Sequence, residues 1–352
     1  MKHLTSSLFL LTSSLFPLPS SLFLLTSSIL LLTSCKADLR ELCYDHSNVV
    51  SVDIHFQWPQ TNTPDVKGMT VLFYNVDQPS AEPVRYDFPG MEGGTVRLVK
   101  ANYRVVAYNY DTETILYRGM SDIQTLEAYT RNSSIEEGTQ LTRAGMPRAS
   151  GTETEPVILE PDQLWASACL DLLLRNGAEA DITLIPVPRS FEVDVTITGV
   201  PNLQYSTQFG GALSGLAASV MMEMGEPSDL LATQAFTAQV VGDSTLHMRF
   251  RTFGHCPHRS QGHTNPHVLT IYAILADGSK WYYTQEVSGQ MHDDVKNPEI
   301  HIDPMNPQTL EINYEIHIDI EELPVPKPIV NGSGFQPTLD DWQGVEIDVT
   351  MD

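Results

Sequence analysis

Apolar and polar residues alternate with a period of two along most of this chain, and long runs with the 3.6-residue period of a helix are nearly absent. The pattern therefore predicts an all-β protein. In the first such segment Val50, Val52, Ile54, Phe56 and Trp58 fall on one face, with Ser51, Asp53, His55 and Gln57 on the other. That is a strand with one buried face. Further strands are predicted at Met69 to Tyr74, Thr95 to Val99, Tyr103 to Tyr110 and Ile115 to Arg118, divided by turns such as Pro89-Gly90 and Gly93-Gly94. This spacing suits a sandwich. The alternation returns at Phe191, Val193, Val195 and Ile197 against Glu192, Asp194, Thr196 and Thr198, followed by strands at Ala235 to Val241, Leu246 to Phe250, Val268 to Leu275 and Trp281 to Gln285. Its clearest instance sets Leu310, Ile312, Tyr314, Ile316, Ile318 and Ile320 against Glu311, Asn313, Glu315, His317, Asp319 and Glu321. After a proline-rich stretch, Leu323 to Ile329, the last strand points Val345, Ile347, Val349 and Met351 inward. Leu164 to Leu174 fits either a short helix opened by Pro161 and capped by Asp162, or a buried strand.

Between Arg131 and Pro156 the sequence is Asn, Ser, Thr, Gly, Glu and Pro with scarcely an apolar cluster, which reads as a linker or long exposed loop. The expected organisation is an N-terminal β-sandwich over 49–130, a linker over 131–156 and a C-terminal β-sandwich over 157–352. These are two tandem antiparallel β-sandwich domains of Ig-like type.

The N-terminus has a different pattern. From Leu4 it repeats every seven residues as LTSSLFL, LTSSLFP, LPSSLFL and LTSSILL, and a fifth copy is cut short at LTSC by Cys35. A lone basic Lys2, no acidic residue and a long apolar body rich in Ser and Thr are the layout of a secretory signal. Pro17, Pro19 and the Ser pairs oppose a retained membrane helix of about twenty apolar residues. Leu32-Thr33-Ser34-Cys35 resembles the lipobox of bacterial lipoproteins, in which the signal is cut before the cysteine and that residue is acylated. Residues 1–34 are then a lipoprotein signal peptide and 35–48 a tether lipidated at Cys35 by palmitate-like chains. Three chains, at about 0.8 kcal/mol per buried methylene, exceed what stable anchoring needs.

The chain carries 44 Asp+Glu against 20 Lys+Arg, a formal net charge of -24, and loss of Lys2 with the signal makes it -25. Such a surface repels nucleic acid and anionic headgroups. With Cys35 assigned to lipid, Cys43, Cys169 and Cys256 remain, so one disulfide is possible and at least one thiol is left over. Cys169 with Cys256 would be a pairing within one expected domain, and the sequence does not settle it.

Beyond the lipobox, further stretches carry a family resemblance. They are Glu41-Leu42-Cys43-Tyr44-Asp45-His46-Ser47, Tyr86-Asp87-Phe88 before Gly93-Gly94, Pro186 to Asn202 around Ile197-Thr198-Gly199-Val200, and Gly334-Phe335 through Trp342-Gln343. Together they resemble the fimbrillin-like surface lipoproteins of the Bacteroidales, including the fimbrial anchor and tip subunits. The resemblance implies two transthyretin-like sandwiches on an outer-membrane lipid anchor, with other pilin-like subunits as partners and a role in pilus assembly, anchoring or adhesion. In polymerising members cleavage after an arginine removes the first strand and opens a groove for a neighbour's strand. Here Arg40 lies ahead of the first strand and Arg85 well inside the first domain, which favours a subunit that stays anchored.

The sharpest chemical feature is His255-Cys256-Pro257-His258 with His263 and His267. Imidazole and thiolate suit zinc or copper. Yet the spacing matches no established finger, and Gly254, Pro257, Gly262 and Pro266 mark a loop, so a solvated polar loop without metal is the expectation. His292-Asp293-Asp294 with His301 and Asp303 forms a second polar group, and His317 and Asp319 share the solvent face of a strand. No GxSxG, HExxH or Walker-type loop occurs. Gly210-Gly211 with Gly215 is read as a turn rather than a nucleotide site, and of Trp281, Tyr282 and Tyr283 at least one is read as core rather than as a sugar platform. The expected protein is non-enzymatic and needs no cofactor. A surface lipoprotein that captures glycan or metal is the alternative.

Overall fold

The alternating segments fold as strands. A computed structural model describes residues 48–59, 63–142, 145–175, 180–255, 266–292, 315–328 and 341–347. The signal repeat, Cys35, Arg40 and Cys43 lie outside the described residues, as do 310–314 and 348–352 of the two C-terminal strands.

In chain order the strands are β1 (Val49–Phe56), β2 (Gly68–Asn75), β3 (Val84–Pro89), β4 (Gly93–Val99), β5 (Asn102–Asn109), β6 (Ile115–Arg118), β7 (Glu127–Thr130), β8 (Val157–Ile158), β9 (Trp165–Leu173), β10 (Ala180–Leu184) and β11 (Val187–Pro188). They continue as β12 (Phe191–Thr198), β13 (Ser206–Ala217), β14 (Ser219–Met221), β15 (Leu231–Thr237), β16 (Gln239–Val241), β17 (Thr245–Thr252), β18 (Val268–Leu275), β19 (Lys280–Glu286), β20 (Glu315–Glu321) and β21 (Gln343–Glu346).

Two sandwiches result, and they repeat one topology. In the first, a sheet ordered β10-β1-β4 faces one ordered β11-β9-β5-β2-β3. In the second, β20-β12-β17 with β16 added faces β21-β19-β18-β13-β15 with β8 added. Each opening strand, β1 or β12, pairs in parallel with a late strand, β10 or β20. Only the last position differs. There β11 runs antiparallel to β9, whereas β21 runs parallel to β19.

This pairing relocates the expected boundary. Strand β9 hydrogen-bonds to β5 and β10 to β1, so residues 165–188 belong to the first sandwich and the second opens at Phe191. Trp165–Leu173, within the ambiguous Leu164 to Leu174, is thereby a strand paired with β5, and Asp162 spends its carboxylate elsewhere. It accepts the backbone N–H groups of Glu113 and Thr114 at 2.5 and 2.7 Å, closing a turn instead of capping a helix.

Residues 131–156 are likewise no linker. Ser134 caps the short helix Ile135–Thr139 by accepting the Glu137 N–H at 3.1 Å, the S-x-x-E start signal. That helix lies close against the second sandwich, where a Cβ on Gly138 would stand 2.6 Å from Ala235, and one on Gly210 2.7 Å from Thr139. The few apolar residues of the stretch, Ile135, Leu141 and Met146, are buried with Ala212, Ala235, Tyr272 and Ile274. Gly210 and Gly211 accordingly sit inside β13, not in the expected turn.

The three largest apolar clusters hold the two sandwiches and join them. The first core gathers Val52, Ile54, Val71, Phe73, Val105, Trp165 and Leu184, and the second Val193, Val195, Ile197, Leu213, Phe250, Ile271, Tyr283 and Ile318. A third joins the sandwiches. It brings Leu72, Tyr74, Val106 and Tyr108 from the back of the first against Leu126, Ala128, Ala217, Val220, Met222 and Phe253. Strand β14 adds backbone bonds to β7, and Arg104 reaches Glu223 at 3.0 Å. Strand β2 is consequently buried on both faces, which is why its sequence is nearly continuous in apolar residues.

Candidate functional site

The bulge in β13 organises the most concentrated group of metal-type ligands among the described residues. The pairing of β13 with β15 shifts register between Leu213 and Leu216, so Ser214 and Gly215 buckle out of the ladder. Gly215 takes φ +76°, and a Cβ there would stand 2.9 Å from the His267 ring, so only glycine leaves room for that histidine. The Ser214 carbonyl accepts a hydrogen bond from His267 Nδ1 at 3.2 Å. A carbonyl only accepts, so Nδ1 carries the proton, and in the neutral ring the lone pair then lies on Nε2. The backbone N–H of Val268 and the Ser214 hydroxyl tie the same point at 3.1 Å.

Two more histidines converge there. Ala217 N–H donates to Gly254 O at 2.9 Å, and Leu216 bridges to His255, which brings His255 over the bulge. His267 N–H donates to Ser288 Oγ at 2.8 Å, and Val287 N–H to His267 O at 2.8 Å. These bonds seat the one-turn helix Ser288–Met291, whose end carries His292. The ring centroids lie 5.8 Å apart for His255 and His267, 4.8 Å for His255 and His292, and 5.0 Å for His267 and His292. His267 is buried at 1% exposure and the other two are half-buried.

The sequence had grouped His255 and His267 with Cys256, His258 and His263, and these three lie outside the described residues. The structure adds His292, which the sequence had placed in a separate group, while Asp293, Asp294, His301 and Asp303 lie outside the described residues. No local spacing links residue 292 to residue 255. The pairing of β18 with β19 and the turn that Ser288 anchors to His267 carry it there.

The remaining candidates are structural. Cys169 is a free thiol in β9, packed against the first core, and Cys256 is outside the described residues. Tyr283 is buried in the second core, Trp281 packs on it, and Tyr282 covers the opposite side of the sheet. His317 and Asp319 occupy the outer face of β20, where His317 stands opposite Asp194 in the register. On that face Asp194 accepts from Arg249 Nη2 at 2.7 Å and meets His247 Nε2 at 2.9 Å. Burial pushes the Asp194 carboxyl up, but the bonds from Arg249 and His247 outweigh it and hold the carboxyl below the usual range. These are cross-strand pairs on a solvated face.

Over residues 34–237 the sequence matches the family described as Domain of unknown function (DUF5119). The chain belongs to this family. The DUF5119 match opens one residue before Cys35 and closes at the end of β15. A Bacteroides ovatus protein assigned as the fimbrium anchoring subunit Fim4B is 24% identical over 318 residues, 85% of this chain and 89% of that protein. A solved structure assigned as an adhesin from Bacteroides ovatus matches with a TM-score of 0.55 at 20% identity, covering 81% of this DUF5119 chain and 96% of the other. The two share a fold. The fimbrial anchor protein Mfa2 from Porphyromonas gingivalis matches with a TM-score of 0.45 at 15% identity, over 78% of this chain and 89% of Mfa2.

Proposed function

We propose that this chain is a lipid-anchored subunit of a surface fimbrium, acting in its anchoring or adhesion and not in catalysis. The observation that carries the reading is the end-to-end likeness to the protein assigned as fimbrium anchoring subunit Fim4B, which spans 85% of this chain and 89% of that one. The position of the lipobox agrees with it, since the family match opens at Ser34 and leaves the heptapeptide repeat outside.

The state of the first strand favours an anchored subunit over a polymerising one. Strand β1 lies between β10 and β4, and its Val52 and Ile54 are fully buried in the first core. Cutting at Arg40 leaves this strand in place, and Arg85 sits within β3, paired with Asp87 at 3.0 Å. A chain that keeps its own first strand has no groove to receive a neighbour's at that position.

The test is Cys35→Ala in the native cell. We expect loss of labelling by a fatty-acid analogue, retention of the signal at this site and loss of the protein from the outer-membrane fraction. Equal labelling and unchanged fractionation of mutant and wild type would refute the anchoring.

A further inference from the structure

We propose that His255, His267 and His292 bind one divalent transition-metal ion of the zinc type, through three neutral imidazoles with a fourth position left for water or an outside ligand. This stands apart from the fimbrial reading, because it rests only on the second sandwich.

The geometry carries it. A metal 2.0–2.1 Å from three imidazole nitrogens at tetrahedral angles places the ring centroids about 5 Å apart. The three observed separations are 4.8, 5.0 and 5.8 Å. One ligand nitrogen from each residue lies within 4.8 Å of the others, against about 3.4 Å in a closed tetrahedral site. Rotation of the two half-buried rings, His255 and His292, supplies that contraction while buried His267 stays fixed.

The support behind the fixed ring is of the kind that metal-bound histidines use. His267 donates Nδ1–H to the Ser214 carbonyl, which sets the tautomer so that Nε2 is the nitrogen a metal would bind. The β13 bulge supplies that carbonyl, and the left-handed Gly215 supplies the space for the ring. The three ligands come from three separate segments: the end of β17, the start of β18 and the turn after β19. A bound ion would cross-link these strand ends. The competing account is edge-to-face ring packing alone, since two of the pairs meet at 86° and 87°. Packing alone predicts no metal affinity.

The experiment is calorimetric titration of Zn2+ into the full chain, purified without a polyhistidine tag and stripped with chelator, and into its His255→Gln and His292→Gln variants. Glutamine keeps size and polarity, and melting of each metal-free variant beside metal-free wild type confirms that it is folded. We expect one equivalent of Zn2+ on wild type, at least about 100-fold weaker binding in either variant, and a zinc-induced rise in melting temperature that both variants lose. Co2+ in place of Zn2+ should give a tetrahedral absorption spectrum in wild type only. The absence of stoichiometric binding would overturn the proposal. So would equal affinity in a folded variant, which would place the ion on other histidines.

Discussion

Removing everything from Trp342 onward should unfold or aggregate the second sandwich. Strand β21 runs parallel to β19, with Gln343 opposite Trp281 and Glu346 opposite Thr284, and Ile347 N–H extends the ladder to Thr284 O at 2.9 Å. Its Val345 and Ile347 pack on the second core, and the Trp342 ring meets that of buried Tyr272 at 5.5 Å. Full burial of such side chains is worth roughly 1.5–3 kcal/mol each, so three partly buried ones contribute about 3 kcal/mol. Lost ladder bonds add roughly 1 kcal/mol apiece. The sum is a large part of the 5–15 kcal/mol that holds a typical domain together. The deletion also turns β19 into an open edge, a template for aggregation. Thermal melting and light scattering of the truncated chain check this, and we expect a fall of about 10 °C or more, with aggregation. If the segment instead serves only a neighbouring subunit, the truncated chain will melt like wild type and fail only in assembly.

The second large effect is expected at Trp165, which the alternation pattern assigns to the wrong domain. The residue is 2% exposed, its ring lies 5.8 Å from that of Trp58, and its backbone N–H donates to Asn109 Oδ1 at 2.7 Å. All of these partners belong to the first sandwich. Trp165→Ala leaves a cavity in that core and should cost about 3–5 kcal/mol. In a unit of this size that is roughly a 10 °C fall in melting temperature. Proteolysis of the destabilised protein should open the chain first around 49–109. Initial cleavage in the second sandwich, or a melting point within about 2 °C of wild type, would contradict the assignment.

Strands with one wet face were legible in the sequence. Strand β12 shows Val193, Val195 and Ile197 in the core and Glu192, Asp194, Thr196 and Thr198 on the other face, because water along one side preserves the alternation. Strands buried on both faces lose that signal. The back of β2 is covered by β7 and by residues of the second sandwich, and the back of β13 by the helix Ile135–Thr139. Strand β9 was ambiguous for a related reason. Its identity as a first-sandwich strand resides in pairing with β5, some sixty residues earlier, which no local window records. The residues 131–156 looked like a linker because Ile135, Leu141 and Met146 are the only large apolar side chains among them, yet those three are buried against the second sandwich.

The histidine site was half legible for the same physical reason. His255 and His267 are neighbours in sequence, but His292 reaches them only through the β18–β19 hairpin and the helical turn that Ser288 anchors to His267. The repeated topology of the two sandwiches left no trace in the residue pattern at all. It appears only in the strand order, where β10-β1-β4 corresponds to β20-β12-β17.

Deleting the gene in a fimbriated native cell, and restoring it as wild type or as Cys35→Ala, tests the fimbrial role most directly. The measurement is the ratio of fimbriae attached to cells to fimbriae shed into the medium, counted by electron microscopy. An anchoring subunit predicts abundant shed fimbriae in the deletion and in the Cys35→Ala strain, with attachment recovered by wild type alone. Fimbriae unchanged in number, length and attachment in the deletion strain would contradict the account.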